Sequence, residues 1–212
     1  MPDELTSIFP TTLLRRHLPD MAETNGQLAR LLADIAATEP NMTAGTSTQG
    51  GFQTRQDLLA DNHRFSGHPA MVHLKNHLTK AIQDYATMLF EQECMRAPNQ
   101  VDFMLWGWGV SLTAGNSQEL HVHPTAHISG VYYVAAPPGA LDEKSTDGKI
   151  RFYDPRPRAN MNQLFTQITR HSEAPSPGDL LLFPSWLEHS VAPFQGEGER
   201  ICIAFNVRLG MA

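Results

Sequence analysis

The second half of the chain is a series of short β-type segments separated by turn residues, and this pattern limits the fold most strongly. The segments are rich in valine, isoleucine, phenylalanine, tyrosine and tryptophan, and glycine, proline, asparagine or aspartate stands between most of them. They cover residues 102–113, 126–136, 148–153, 165–172, 178–184, 187–193 and 199–209. Seven or eight short strands within about 110 residues are typical of a jelly roll.

The first hundred residues show the periodicity of helices instead. Apolar residues recur there at three- and four-residue intervals in two stretches, which is typical of amphipathic helices. The stripes are Leu28, Leu31, Leu32 and Ile35 in the first stretch and Leu74, Leu78, Ile82, Tyr85 and Leu89 in the second. Thr24 or Asn25 is predicted to cap the first helix, and the second helix is predicted from Pro69 to about Met95.

Helices that precede a run of strands predict an α+β fold. We predict one domain over residues 1–212. In this interpretation residues 1–100 form a helical support region packed on one sheet, and residues 101–212 form the jelly-roll core that holds the functional site.

Composition excludes several classes of protein. A chain of 212 residues, 41% of them hydrophobic, can bury a core without disulfides. Its two cysteines, Cys94 and Cys202, are too few for a disulfide framework or a cysteine-based zinc site. The formal net charge of −6 argues against a general nucleic-acid or anionic-membrane binder. The acidic N-terminal segment is unlike a signal peptide, and no apolar run approaches the ~20 residues that a membrane span requires. The sequence therefore predicts a cytoplasmic protein that does not span a membrane.

Three histidines predict a metal site. His121 and His123 form an HxH pair, and residues two apart on a strand point to the same side. His189 follows 66 residues after His123, between two apolar segments. If its strand pairs with that of the HxH, the three imidazoles converge on one ion. Two residues are alternative ligands: Glu119, which shares the strand face of His121, and His127.

A second histidine pair lies in the helical region. His73 and His77 are four residues apart on the second predicted helix, so they share one face and could clasp a metal. No third ligand accompanies them in the sequence, and an exposed surface position is the expectation.

Arg200 is the charged residue that begins the last apolar segment, eleven residues after His189. If both lie on adjacent paired strands, the guanidinium points into the metal cavity. A buried arginine requires an anion, and a carboxylate offers a bidentate match. The partner is either a local glutamate (Glu188, Glu197 or Glu199) or the carboxylate of a bound dicarboxylic acid.

Several motifs together resemble the 2-oxoglutarate/Fe(II)-dependent dioxygenases. They are ELHVHPTAHISGVYYV, DPRPR, PGDLLLFPSWLEHSVAPF and GERICIAFNV, with weaker likeness upstream in STQGGFQTRQDLL and IFPTTL. The chain is most similar to a bacterial and phage subgroup of the prolyl-hydroxylase-like class. The resemblance implies a double-stranded β-helix that binds Fe(II), 2-oxoglutarate and O2 and hydroxylates a substrate.

The resemblance also implies roles for individual residues. His121 and His189 match iron-ligating histidines, whereas His123 stands where most of the superfamily has aspartate. Arg200 matches the residue that pairs with the distal carboxylate of 2-oxoglutarate. Tyr133 and Ser129 match strand positions that assist it.

The histidine at position 123 leaves two other functions open. The usual facial triad has two histidines and a carboxylate, whereas a three-histidine centre is also typical of cupin-type thiol dioxygenases. A non-enzymatic metal-binding β-sandwich is the other alternative. Neither gives Arg200 a role. The sequence does not name the prime substrate or the oligomeric state.

Overall fold

Two antiparallel sheets and two helices make up the protein. The computed structural model describes residues 8–92, 100–141, 145–157 and 169–210. The helices are α1 (Ala22–Thr38) and α2 (Pro69–Gln92). The strands are β1 Leu14–His17, β2 Thr48–Gln49, β3 Phe52–Gln53, β4 Phe103–Leu112, β5 Ser117–His121, β6 Ile128–Ala135, β7 Ile150–Tyr153, β8 Arg170–Glu173, β9 Asp179–Pro184, β10 His189–Val191 and β11 Arg200–Leu209. A short 3₁₀ helix spans Pro138–Leu141.

The strands form the two sheets of a jelly roll. One sheet has the order β1-β9-β6-β11-β4-β3 and the other β2-β5-β10-β7-β8. Strands β6 and β9 are buried almost throughout, because the six-stranded sheet is covered on both faces. This explains why these segments are apolar runs without alternation. The predicted α+β double-stranded β-helix is confirmed.

Strand β11 shows how the two faces are used. Its residues Ile201, Ile203 and Phe205 belong to the same apolar cluster as Leu28 of α1 and Leu78 of α2. The alternate residue Cys202 belongs instead to the cluster between the sheets. The helices therefore cover the outer face, as predicted, and the inner face is left for the site.

The start of α1 differs from the prediction. The helix begins at Ala22, and neither Thr24 nor Asn25 caps it, because the Ncap residue is Met21. Both side chains are buried and bond to other elements: Thr24 Oγ1 lies 2.9 Å from His73 Nδ1, and Tyr132 donates its hydroxyl to Asn25 Oδ1 at 2.6 Å. The side chains of Thr24 and Asn25 therefore bond to other elements instead of capping α1.

The N-terminal half is not only helical. Strand β1 extends the six-stranded sheet beside β9, β3 pairs with β4, and β2 pairs with β5. These strands are short and partly polar, so they lack the apolar pattern of the later ones. The predicted end of the second helix near residue 95 and the start of the 165–172 segment lie outside the described residues. None of the helices in the described ranges is long and apolar enough to span a membrane.

Leu78→Ala should destabilise the protein without changing metal affinity. Leu78 is fully buried where α2 meets the sheet, and truncating a buried leucine costs about 2–5 kcal/mol. Thermal unfolding should show a lower melting temperature, whereas Val72→Ala, on an exposed part of the same helix, should change it little. Lost cosubstrate binding in a fully stable Leu78→Ala variant would contradict a purely structural role for α2.

Candidate metal centre

His121, His123 and His189 meet at one point between the sheets. Their ligand nitrogens all lie within 4.8 Å of one another. His121 is the last residue of β5, and His189 is the first residue of β10 and its antiparallel cross-strand partner. The register of this strand pair brings together two histidines that are far apart in the sequence.

His123 reaches the centre in a different way from the one predicted. It lies two residues beyond the end of β5, so the HxH pair does not lie wholly on a strand. The backbone N–H of His123 donates to the carbonyl of Ser185 at 3.0 Å, which holds this segment beside the turn after β9. The centroid of its ring is 5.0 Å from that of His121 and 5.2 Å from that of His189.

Backbone carbonyls orient two of the three rings. Nδ1 of His121 donates to the carbonyl of Glu119 at 2.7 Å, and Nδ1 of His189 donates to the carbonyl of Leu187 at 2.8 Å. A carbonyl oxygen only accepts, so each Nδ1 carries the proton and each Nε2 keeps its lone pair. Histidines that bind a metal usually donate their other ring N–H to a carbonyl or carboxylate in this way.

Burial keeps the three imidazoles neutral. It lowers the pKa of His189 to about 3 and, with help from the neighbouring His121, that of His123 to about 4. Burial also lowers the pKa of His121. A cluster of neutral imidazoles near pH 7 suits a divalent transition metal.

The alternative ligands do not join this group. Glu119 and His127 are both exposed. Glu119 uses its backbone carbonyl to orient His121, and His127 Nδ1 accepts the backbone N–H of Leu209 at 3.0 Å. Within the described residues, the triad consists of His121, His123 and His189.

Arg200 lines the same cavity as the triad and is 1% exposed. Its Nε donates to the carbonyl of Gly148 at 3.1 Å, and its other nitrogens lie 3.3 Å from Cys202 Sγ and 3.5 Å from the hydroxyl of Tyr133. No Asp or Glu forms an ion pair with it among the described residues. Among the residues that the structure describes, the guanidinium is therefore a buried cation without a carboxylate partner.

The structure differs from two of the arrangements considered for Arg200. It does not pair with Glu188, Glu197 or Glu199 in the described structure; Glu199 instead accepts from the hydroxyl of Ser111 at 3.4 Å. Its strand β11 is also not a neighbour of β10, because the two strands belong to different sheets. Arg200 reaches the cavity from the facing sheet of the sandwich.

Tyr133 and Ser129 lie four residues apart on β6, on the same face of that strand. Tyr133 is fully buried beside Arg200, and burial raises the pKa of its hydroxyl to about 12, so it stays protonated. Ser129 lines the cavity too, but its hydroxyl donates to Asn206 Oδ1 at 2.7 Å rather than to Arg200.

Three further residues shape the site and were not predicted to do so. Cys202 and Asn206 lie two and six residues after Arg200 on β11, so they share its face. The ring of Trp108 lies 5.8 Å from that of His123. The period of two along β11 was the available signal for Cys202 and Asn206.

The fold and the site define a class: a double-stranded β-helix in which three histidines that could hold a metal ion share one cavity with a buried arginine. Residues 107–206 match the family described as "Putative 2OG-Fe(II) oxygenase". The match runs from β4 into β11 and contains the triad and Arg200. This match over residues 107–206 confirms the resemblance to the 2-oxoglutarate- and Fe(II)-dependent oxygenases seen in the motifs of the chain.

Solved structures share this fold. A prolyl-4-hydroxylase from Pseudomonas putida is 16% identical with a TM-score of 0.59, over 93% of this chain and 92% of that chain. HygX from Streptomyces hygroscopicus, with nickel and 2-oxoglutarate bound, is 16% identical with a TM-score of 0.61, over 93% and 83%. A prolyl hydroxylase in complex with a hypoxia inducible factor oxygen degradation domain peptide fragment from Trichoplax adhaerens is 13% identical with a TM-score of 0.60, over 92% and 83%. A search of the curated proteins found no match.

Proposed function

We propose that this protein is a dioxygenase that uses Fe(II) and 2-oxoglutarate to hydroxylate a substrate, with His121, His123 and His189 as the metal ligands. The observation that supports it most is the shared cavity, which joins three neutral imidazoles to a buried arginine that has no carboxylate partner in the described part of the chain. The oriented Nε2 lone pairs fit Fe(II). The arginine fits an anion that enters with the cosubstrate.

Arg200 binds the distal carboxylate of 2-oxoglutarate in this proposal. Its position between the sheets excludes water, so a charge-assisted pair there is strong. The protonated hydroxyl of Tyr133, 3.5 Å from the guanidinium, donates to the same carboxylate. Ser129 lies further along β6, and contact with the cosubstrate requires its hydroxyl to leave Asn206.

Fe(II), when bound, supplies O2 activation and the oxidative decarboxylation of 2-oxoglutarate to succinate. The protein residues position the reactants and exclude water from the cavity. Phe183 and Trp108 form apolar walls of the cavity, and the backbone carbonyls behind His121 and His189 hold the ligating rings in one orientation.

The alternative functions explain less of the site. A thiol dioxygenase of the cupin type would use the three histidines but give no role to Arg200. A non-enzymatic β-sandwich would not require a buried cation beside the metal. We also propose that residues 1–212 form one domain and that the protein works in the cytoplasm. Its net negative charge disfavours binding to nucleic acid.

The direct test is anaerobic loading with Fe(II) and 2-oxoglutarate, followed by exposure to O2 and measurement of succinate. We expect succinate from the wild type and none from His189→Ala. Without a prime substrate the turnover is slow, so binding of 2-oxoglutarate to Mn(II)-loaded protein is measured by calorimetry as well. Absence of both succinate and binding would refute the proposed function.

His123→Asp should retain the metal. Aspartate restores the two-histidine, one-carboxylate set common in non-haem iron enzymes, and the half-buried position beside two neutral imidazoles lets its charge offset the ion. Elemental analysis should find as much iron as in the wild type, whereas the uncharged control His123→Leu should lose it. Equal iron in the leucine variant would show that position 123 does not ligate.

A further inference from the structure

We propose that His73 and His77 form a second metal site, on the exposed side of α2, which takes a divalent transition cation such as Cu(II), Ni(II) or Zn(II). Their Nε2 atoms lie 3.1 Å apart, and the ring centroids are 4.8 Å apart. The triad lies between the sheets, whereas α2 covers the outer face of the six-stranded sheet. The two sites are therefore separate.

The spacing of the two nitrogens matches a shared ion. Zinc holds imidazole nitrogens at ~2.0–2.1 Å, and at a tetrahedral angle two such ligands are about 3.3 Å apart. The observed 3.1 Å requires only a slight opening. In the absence of an ion, the Nε2 atom of one histidine donates a hydrogen bond to the Nε2 atom of the other.

Thr24 on α1 orients the ring of His73 at this site. Its hydroxyl lies 2.9 Å from Nδ1 of His73, and its burial on α1 fixes the hydroxyl in place. When Nδ1 of His73 donates to this oxygen, Nε2 keeps its lone pair for the ion. Hydrogen bonds of this kind set the tautomer and orientation of metal-binding histidines.

His77 is the second ligand of this site, one turn after His73 on α2, and its side chain is half-buried. The protein supplies two nitrogens and water fills the other positions. Nitrogen ligands without a carboxylate favour Cu(II) over Ni(II) and Zn(II), and they disfavour Mg(II) and Ca(II).

Calorimetric titration of metal-free full-length protein with Zn(II) tests this proposal. We expect two ions per chain for the wild type, one for His77→Ala and one for His121→Ala. Asn76→Ala, an exposed change on the same helix, should keep two. Thr24→Val should weaken the α2 site alone, and His77→Ala should leave 2-oxoglutarate turnover unchanged because α2 lies outside the active site.

Two results would overturn the proposal. One is a single ion in the wild type that His121→Ala abolishes; the other is two ions retained in both His73→Ala and His77→Ala. Failure of the triad itself is a distinct outcome, since His121→Ala would then keep the same number of ions as the wild type. Circular dichroism confirms folding of each variant, and zinc should raise the melting temperature of His121→Ala but not that of His121→Ala/His77→Ala.

Discussion

Arg200→Ala is expected to weaken 2-oxoglutarate binding by two to three orders of magnitude. The change leaves the distal carboxylate without a partner in a site from which water is excluded, because Arg200 is 1% exposed. Breaking a buried ion pair costs roughly 3–5 kcal/mol, and each 1.4 kcal/mol is about tenfold in affinity. Calorimetry on Mn(II)-loaded protein without O2 measures the loss directly.

Controls separate cosubstrate binding from damage to the fold. Arg208→Ala removes an exposed arginine from the same strand and should leave binding unchanged. Metal content should be normal in Arg200→Ala, since the guanidinium is not a ligand. Shorter 2-oxo acids without a second carboxylate should bind poorly to the wild type and respond little to the change. Unchanged 2-oxoglutarate affinity in Arg200→Ala would remove this role.

His189→Ala is expected to abolish metal binding at the triad and, with it, all turnover. The variant removes one of three nitrogens and leaves a buried gap, so water is a poor replacement ligand. Loss of an outer-shell partner already costs 10–100-fold in metal affinity, and we expect a loss of more than about 100-fold for a direct ligand. His121→Ala and His123→Ala should behave alike.

The iron bound at the triad must be measured separately from metal at the proposed α2 site. Elemental analysis of iron is therefore made in the His77→Ala background, in which the α2 site does not contribute. Glu119→Gln and His127→Ala are the matched controls, because both residues stand near the HxH pair but are exposed. They should keep full iron. Full iron in His123→Ala with a loss in either control would reassign the third ligand.

Elements with strong local patterns could be predicted from the sequence. The apolar stripe containing Leu28 and Leu32 marks α1, and the runs in β6, β9 and β11 mark strands buried on both faces. The polar strand β1 and the two-residue strands β2 and β3 could not be predicted. Their stability comes from pairing with β9, β5 and β4, which lie far away in the sequence.

The candidate site divides in the same way. The sequence alone indicates its chemistry. A metal is indicated by the HxH pair and a distant histidine, and an anion is indicated by the arginine at the start of an apolar strand. The register that sets His189 opposite His121 is a tertiary property, because strand pairing depends on which strands become neighbours. So is the bond from His123 to Ser185 that brings the third ring in from beyond the strand.

The sequence by itself determined the helices and strands that have a strong apolar pattern and the side chains that are candidates for the chemistry, because residue type and periodicity are local. Only the tertiary structure decided that Arg200 faces the triad from the opposite sheet, with Cys202 and Tyr133 beside it and no carboxylate among the described partners. Burial is the physical reason. Once the two sheets close over the guanidinium and the imidazoles, water no longer solvates them, and the arrangement of elements far apart in the chain sets their charge and their partners.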